Sequence, residues 1–417
     1  MSNPSQDIIV FGATSFVGQI LCQYLFDEFK LSSSLRWAMA GRSLDKLEQL
    51  RRSLGSGAEN VSLVVANSAD EAELRLMVAQ ARVVISTVGP YALYGELLIK
   101  VCAETGTDYC DLTGEAQWIR LMIERYEVSA RLSGARIVNC CGFDSIPSDL
   151  GVFFLQQESL RRFGVPCTQI NMRVRSMRGA ISGGTAASLL NVIKEASENL
   201  QLRKELANPY SLCLSAQPVM NPGIKATVRQ PNISSAQFDN KFKAWVAPFI
   251  MSGINTRIVH RSHFLNGYPY GLIFKYDEAV LTGRGWRGAL LAFGTSIGLG
   301  VFVLASALKP LRIILQRFVL PKPGEGPTQI AQARGFFDLR FLGSTLSGEN
   351  LQIKVTGDRD PGYGSTAKML GQAAACLALE ISPEMKAGGF WTPATIFGDS
   401  LIQRLKAKAG LRFELLP

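Results

Sequence analysis

Glycines, an arginine and a few tyrosines and carboxylates carry the chemistry available to this chain. Gly12-Ala13-Thr14-Ser15-Phe16-Val17-Gly18 follows an apolar run, Ile8 to Phe11, and precedes a helical pattern through Ile20, Leu21, Tyr24 and Leu25. In the order strand, turn, helix, such a motif sets backbone N–H groups at a helix N-terminus, where a pyrophosphate is favoured. Gly12 serves the tight turn and Gly18 the close packing of helix on strand. The small Ala13 and Ser15 let the backbone approach a phosphate, Ser15 standing where the G-x-x-G-x-x-G variant has its middle glycine. A β-α turn with no ligand is the plain alternative.

The next strand, Leu35 to Ala40, runs into Gly41-Arg42-Ser43. An NAD site places an acid near this strand end to hold the ribose 2′-hydroxyl. Here a guanidinium and a hydroxyl stand there instead, a pair suited to a 2′-phosphate. NADP(H) is therefore the expected cofactor, the alternative being that Arg42 stacks on adenine or faces water. A fourth strand, Val83 to Thr87, should bring Ser86, Thr87, Val88, Gly89, Pro90 and Tyr91 along the ribose and nicotinamide, at the carboxyl edge where open α/β sheets bind ligands. The loops Asp108 to Glu115 and Cys141 to Asp149 share that edge, with Asp111 expected at the cofactor. Hydride transfer needs a proton source beside it. Tyr91, Tyr109, Asp111, Asp144 and Ser145 crowd the nicotinamide end, and water is the alternative donor. Late in the chain, Gly357 to Thr366 leads into a helix from Ala367 to Leu379, where Tyr363 and Lys368 are candidate proton donors or substrate anchors. Helix capping and domain docking would explain them equally. No Y-x-x-x-K pair follows the fourth strand.

Other chemistries find little support. The chain has two histidines, His260 and His263, and eight cysteines with no C-x-x-C spacing, so no metal site is expected. Unpaired thiols and a start without an apolar leader fit a reducing, cytoplasmic setting. No nucleic-acid module accompanies the net charge of +10, which leaves a phosphate-bearing cofactor or an anionic membrane surface as its partner.

These residues need a doubly wound parallel sheet to position them. Six strands alternating with helices fill residues 1–150, read as a Rossmann domain; Val61 to Val65 and Arg136 to Cys140 are the third and last. Residues 151–356 read as a second, α+β substrate or dimerisation domain, with a helix over 151–163, a strand over Gln169 to Arg178 and a long helix from Ala186 to about Leu206. Ser182-Gly183-Gly184-Thr185 before that helix is a possible anion site or a plain cap, and Pro209 to Ser235 looks irregular. Residues 357–417 read as a C-terminal helical segment.

One segment fits none of this. Ala289 to Leu308 holds twenty residues without a charge, and a second apolar run, Leu311 to Leu320, follows Pro310. No acid occurs from Ala279 to Gly324, while Arg284, Arg287, Lys309, Arg312, Arg317 and Lys322 flank the runs. A buried helix pair, an embedded hairpin over 289–320 that does not cross, and a true span all remain open. The hairpin is favoured because a true span would put the catalytic halves on opposite sides.

GATSFVG (12–18), AGRS (40–43), STVGPY (86–91), YCDLTGE (109–115), CGFDSIPSDLG (141–151) and GDRDPGYGSTAKM (357–369) in this order resemble the saccharopine dehydrogenase-like oxidoreductases, in particular their trans-acting enoyl reductase branch. The resemblance implies a Rossmann domain, an inserted α+β domain and a C-terminal helix docked on the first. Together with Arg42 and the apolar segment it implies NADP(H)-dependent reduction of a hydrophobic or carrier-bound acyl or polyketide-type substrate. A saccharopine-type amino-acid dehydrogenase and a non-catalytic NADP(H)-binding protein on a lipid surface are the alternatives. A homodimer is left open.

Overall fold

The computed structural model describes residues 4–29, 35–179, 183–214, 228–320 and 326–417. Within the N-terminal region the chain runs β1 (Gln6–Phe11), α1 (Phe16–Phe29), β2 (Trp37–Gly41), α2 (Leu44–Ser53), β3 (Ser62–Val65), α3 (Glu71–Val78), β4 (Ala81–Ser86), α4 (Tyr91–Tyr94), α5 (Glu96–Thr105), β5 (Asp108–Asp111), α6 (Ala116–Ser133) and β6 (Arg136–Val138). The strands pair in parallel in the order β6-β5-β4-β1-β2-β3. Ile8 and Val10 enter one buried cluster while Ile9 and Phe11 enter another on the opposite face. Side chains alternate across a strand, so a sheet covered on both faces needs an unbroken apolar run. Asp108 to Asp111, read from sequence as a loop, is the strand β5: its aspartates are satisfied by partners brought from β6 and the following loops, which a single segment does not reveal.

Beyond this sheet come α7 (Ile146–Phe163), β7 (Gln169–Arg178), α8 (Gly183–Glu198), α9 (Leu200–Ala207), β8 (Gln237–Asp239), β9 (Ala244–Pro248), α10 (Ser252–Leu265), β10 (Lys275–Gly283), α11 (Gly285–Ala307), α12 (Lys309–Ile314), α13 (Gln329–Ala333), β11 (Phe336–Ser344) and β12 (Asn350–Gly357). The expected long helix after Gly184 divides at Asn199, whose side chain caps α9 by accepting from the Leu202 N–H. Ser182, the Thr185 side chain, residues 215–227 and Lys322 lie outside the described residues.

The chain closes with α14 (Thr366–Leu379), β13 (Gly389–Trp391), α15 (Pro393–Ile396), α16 (Gly398–Lys408) and β14 (Arg412–Leu415). Strand β13 adds a seventh strand to the first sheet, parallel to β6, and β14 completes a mixed second sheet, β14-β12-β11-β7-β10-β9-β8. The stretch after 357 is thus more than helical, and it serves both sheets. Its three-residue strand is held by distant groups: Arg261 donates to the Phe390 carbonyl, and the Phe390 N–H donates to Glu127. Helix α14 packs on α1, β1, β4 and β5, so the late motif sits against the glycine-rich turn.

The apolar segment is not in the core. Helix α11 is long and apolar enough to cross a membrane, and 11% of its apolar window is buried. The buried-helix reading of 289–320 is therefore wrong: apolar composition alone cannot tell a helix covered by protein from one that is not.

Candidate active site

The glycine-rich turn is held from several sides. Gly12 and Ala13 N–H groups donate to the Ala40 carbonyl, and Ser15 N–H to the Gly12 carbonyl. The Ser15 hydroxyl accepts from Gly18 N–H and lies 2.9 Å from the Thr87 hydroxyl, which donates to the Gly12 carbonyl at 2.8 Å. Gly12 has φ +85°, and a Cβ there would stand 2.7 Å from Thr87 Oγ1; one on Gly18 would fall onto the Gly12 carbonyl oxygen. The turn therefore admits no side chain at either glycine. The N–H groups of Thr14, Phe16 and Val17 take no part in these bonds, leaving the start of α1 able to meet an anion.

Arg42 is exposed at the end of β2 and makes no hydrogen bond or ion pair with a described residue. Ser43 caps α2, accepting from Lys46 N–H. An unpaired guanidinium one strand away from a pyrophosphate-shaped turn fits a dinucleotide bearing a 2′-phosphate. A second observation supports the fit. Tyr363 is 1% exposed, its ring stands edge-on to Phe16 with centroids 4.9 Å apart, and its hydroxyl has no partner among the described residues. A buried hydroxyl without a partner costs free energy, and a ligand at the turn would supply one. The Phe16 side chain is covered by Tyr363 and Gly326, so what Phe16 can offer a cofactor is its backbone.

Several expected residues stand differently from their sequence reading. Tyr91 is buried, and its hydroxyl donates to the Ser86 carbonyl at 2.9 Å. Burial and Asp111 push its ionisation well above the ordinary range, and with its proton held on the Ser86 carbonyl it braces the strand end. Asp111 has both oxygens occupied: Thr113 and Cys140 N–H donate to Oδ1, Tyr109 Oη and Asn139 Nδ2 to Oδ2. Burial lifts its pKa to about 6. It ties the ends of β5 and β6 together and has no oxygen left for a ribose. The Lys368 ammonium faces Asp358 at 3.5 Å, separate from the partnerless Tyr363 hydroxyl. Val88, Gly89 and Pro90 form an accessible lip above the buried Ser86 and Thr87. His260 and His263 are buried among aromatic rings, with pKa values lowered by burial to about 3 and about 4. Neutral imidazoles in such a setting fill the core.

Three residues emerge that sequence spacing did not single out. Glu115 accepts from the Tyr91 and Ala92 N–H groups and from Ser188 on α8, fixing α8 over the β4 edge. Thr366 accepts from Phe143 N–H and donates to the Pro361 carbonyl, clamping the Cys141 to Asp149 loop onto the late motif. Both act across long sequence separations, where no local signal exists. Asp144, expected only as one of a crowd, differs from its neighbours: it is partly exposed in a loop whose other residues are buried. Its Oδ1 lies 3.4 Å from where a Gly114 Cβ would be and its Oδ2 3.1 Å from where a Gly142 Cβ would be, so the two glycines make room for the carboxyl. No described side chain hydrogen-bonds it. Burial, with Asp111 adding repulsion, raises its pKa to about 7. Among the described residues no group of three His, Cys, Asp or Glu could hold a metal ion.

Fold and site together define a nicotinamide-dinucleotide oxidoreductase using NADP(H). Residues 8–138 match the family described as the saccharopine dehydrogenase NADP-binding domain. A Mycobacterium tuberculosis protein provisionally named a trans-acting enoyl reductase is 37% identical over 411 residues, covering 96% of this chain and 95% of its own. A Mycobacterium bovis protein named trans-acting enoyl reductase is 35% identical over 415 residues, with the same coverage. Yeast saccharopine dehydrogenase (L-Glu forming) shares the fold, with TM-score 0.54 at 13% identity over 99% of this chain and 100% of that one. The chain belongs to the saccharopine dehydrogenase-like oxidoreductases, in their trans-acting enoyl reductase branch.

Proposed function

We propose that the protein reduces the α,β double bond of a hydrophobic acyl chain carried as a thioester. Whole-length likeness to relatives named for that activity supports the substrate class. The observation that carries the chemistry is Asp144, a partly exposed carboxyl that no described side chain hydrogen-bonds, at the carboxyl edge of the first sheet, with its pKa raised by burial to about 7. NADPH, when bound, supplies a hydride to the β-carbon. The glycine turn and the start of α1 would hold its pyrophosphate, Arg42 its 2′-phosphate, and the Val88 to Pro90 loop its ribose. Asp144 in its protonated form delivers the proton to the α-carbon, so the double bond gains one hydride and one proton and the carboxylate recovers its proton from solvent. Asp111, Glu115 and Thr366 hold the three loops that frame this carboxyl and take no part in proton transfer.

The test uses purified protein, NADPH and 2-enoyl thioesters of increasing chain length. NADPH oxidation rises with chain length, and turnover falls as pH climbs through about 7 because the donor loses its proton. Asp144→Asn reduces kcat by about a hundredfold or more and flattens that limb while leaving NADPH affinity intact. Oxidation of NADPH with a keto acid and an amino acid, but with no enoyl thioester, would overturn the proposal.

A further inference from the structure

Helix α11 leaves the second sheet at Gly283, packs on β9, β10 and α8, and is otherwise left uncovered by the described residues. Its first turns are seated: the Thr282 hydroxyl donates to the Gly288 carbonyl at 2.9 Å, a Cβ on Gly288 would collide with the Gly283 carbonyl, and Phe293 meets Trp245. Further along, the helix stands free. Trp286 is 72% exposed, Leu290 67%, Ile297 64% and Leu304 62%; of its 23 residues Gly288, Ala292 and Ser306 are buried. The chain then turns through α12 and a π-helical turn, Leu315–Val319, where Phe318 is 75% exposed. A continuous apolar surface of this extent is rare on soluble proteins without a partner.

We infer that this excursion, residues 285–320, docks the protein on an anionic lipid bilayer, embedded from one side and not crossing it. Charge argues for lipid over a second copy of the chain. The exposed hairpin carries Arg284, Arg287, Lys309, Arg312 and Arg317 and no acid, so two copies packed through it would set like charges together, whereas anionic headgroups neutralise them. Guanidinium groups lie over aromatic rings at both ends, Arg287 over Trp286 and Arg317 over Phe318, a pairing suited to the bilayer interface, where aromatic and basic anchors gather. Topology argues against crossing. The excursion departs from β10 and returns to β11, and both strands pair with β7. A single span would put β10 and β11 on opposite sides of the bilayer.

The return arm joins this surface to the cofactor site. Gly326 lies against the Phe16 ring of the glycine-rich turn, and the Asp360 N–H donates to the Gln332 carbonyl beside α13. Docking would thus hold the oxidoreductase site next to the lipid, whichever substrate it takes, so this inference stands apart from the enoyl reading.

The experiment is flotation of the full chain with phosphatidylcholine vesicles, with and without phosphatidylglycerol. The protein floats with the anionic vesicles, and Trp286 fluorescence, isolated by comparison with Trp286→Phe, is quenched by lipids brominated on their acyl chains. The pair Arg312→Gln and Arg317→Gln lowers partitioning about tenfold or more. Leu290→Gln with Leu304→Gln abolishes it, while NADPH binding is unchanged in both variants, which shows them folded. Failure of the wild type to float with anionic vesicles would overturn the inference. So would a stable dimer that Leu290→Gln with Leu304→Gln dissociates while no vesicle binds.

Discussion

The cofactor edge and the α11 hairpin are both built from small and apolar residues, yet they are stabilised in opposite ways. At the edge almost every polar group is spoken for from within the chain: Ser15, Thr87, Asp111, Glu115 and Thr366 each bond to a residue far away in sequence. The exceptions among the described residues include the Tyr363 and Ser145 hydroxyls, the Asp144 carboxyl and Arg42, at the edge where a dinucleotide and its substrate would bind. In the hairpin the backbone is satisfied as helix, while among the described residues most of the apolar side chains are left exposed. On the two proposals made above, the edge is completed by a small ligand and the hairpin by a lipid surface. A partnerless hydroxyl and an uncovered helix are the same kind of evidence at two scales.

The contrast can be broken first at Gly18. A side chain there has nowhere to go, so Gly18→Val should abolish NADPH binding and lower the melting temperature of the whole protein, read by fluorescence titration and calorimetry. Next is Arg42→Asp, which replaces an attraction for the 2′-phosphate by repulsion. The NADPH dissociation constant should rise about a hundredfold relative to that of NADH, with no change in stability, because the residue is exposed. An unchanged preference would remove Arg42 from the cofactor site. Tyr363→Phe tests the orphan hydroxyl. It should leave stability equal or higher by up to about 1 kcal/mol, since an unpartnered group is removed, and weaken NADPH binding about tenfold. Equal NADPH affinity would assign Tyr363 to packing on Phe16 alone. The smallest effect is expected at Ile297→Gln in the absence of lipid, within about 0.5 kcal/mol in denaturant melts, because the side chain contacts solvent and not the core. A large loss there would mean that the helix packs on protein, and the two regions would no longer differ in kind.

Much of the cofactor site could be read without coordinates. A Gly-rich turn between an apolar run and a helix, with arginine in place of an acid after the next strand, is a local pattern, and NADP(H) follows from it. The length and charge-free character of 289–308 are equally local. What no local pattern holds is which polar groups find partners. Asp111 and Tyr91 look like ligands in one dimension and are braces in three, because their donors and acceptors come from other strand ends. Asp144 became distinct only once Gly114 and Gly142 were seen to make room for it. The exposure of α11 also belongs to the tertiary structure, since hydrophobicity is a property of residues and burial a property of their neighbours. Sequence alone determined the nucleotide-binding sheet and its cofactor. Folding decided which polar groups find partners among the described residues and which apolar surface is left bare, because each depends on partners contributed by distant segments.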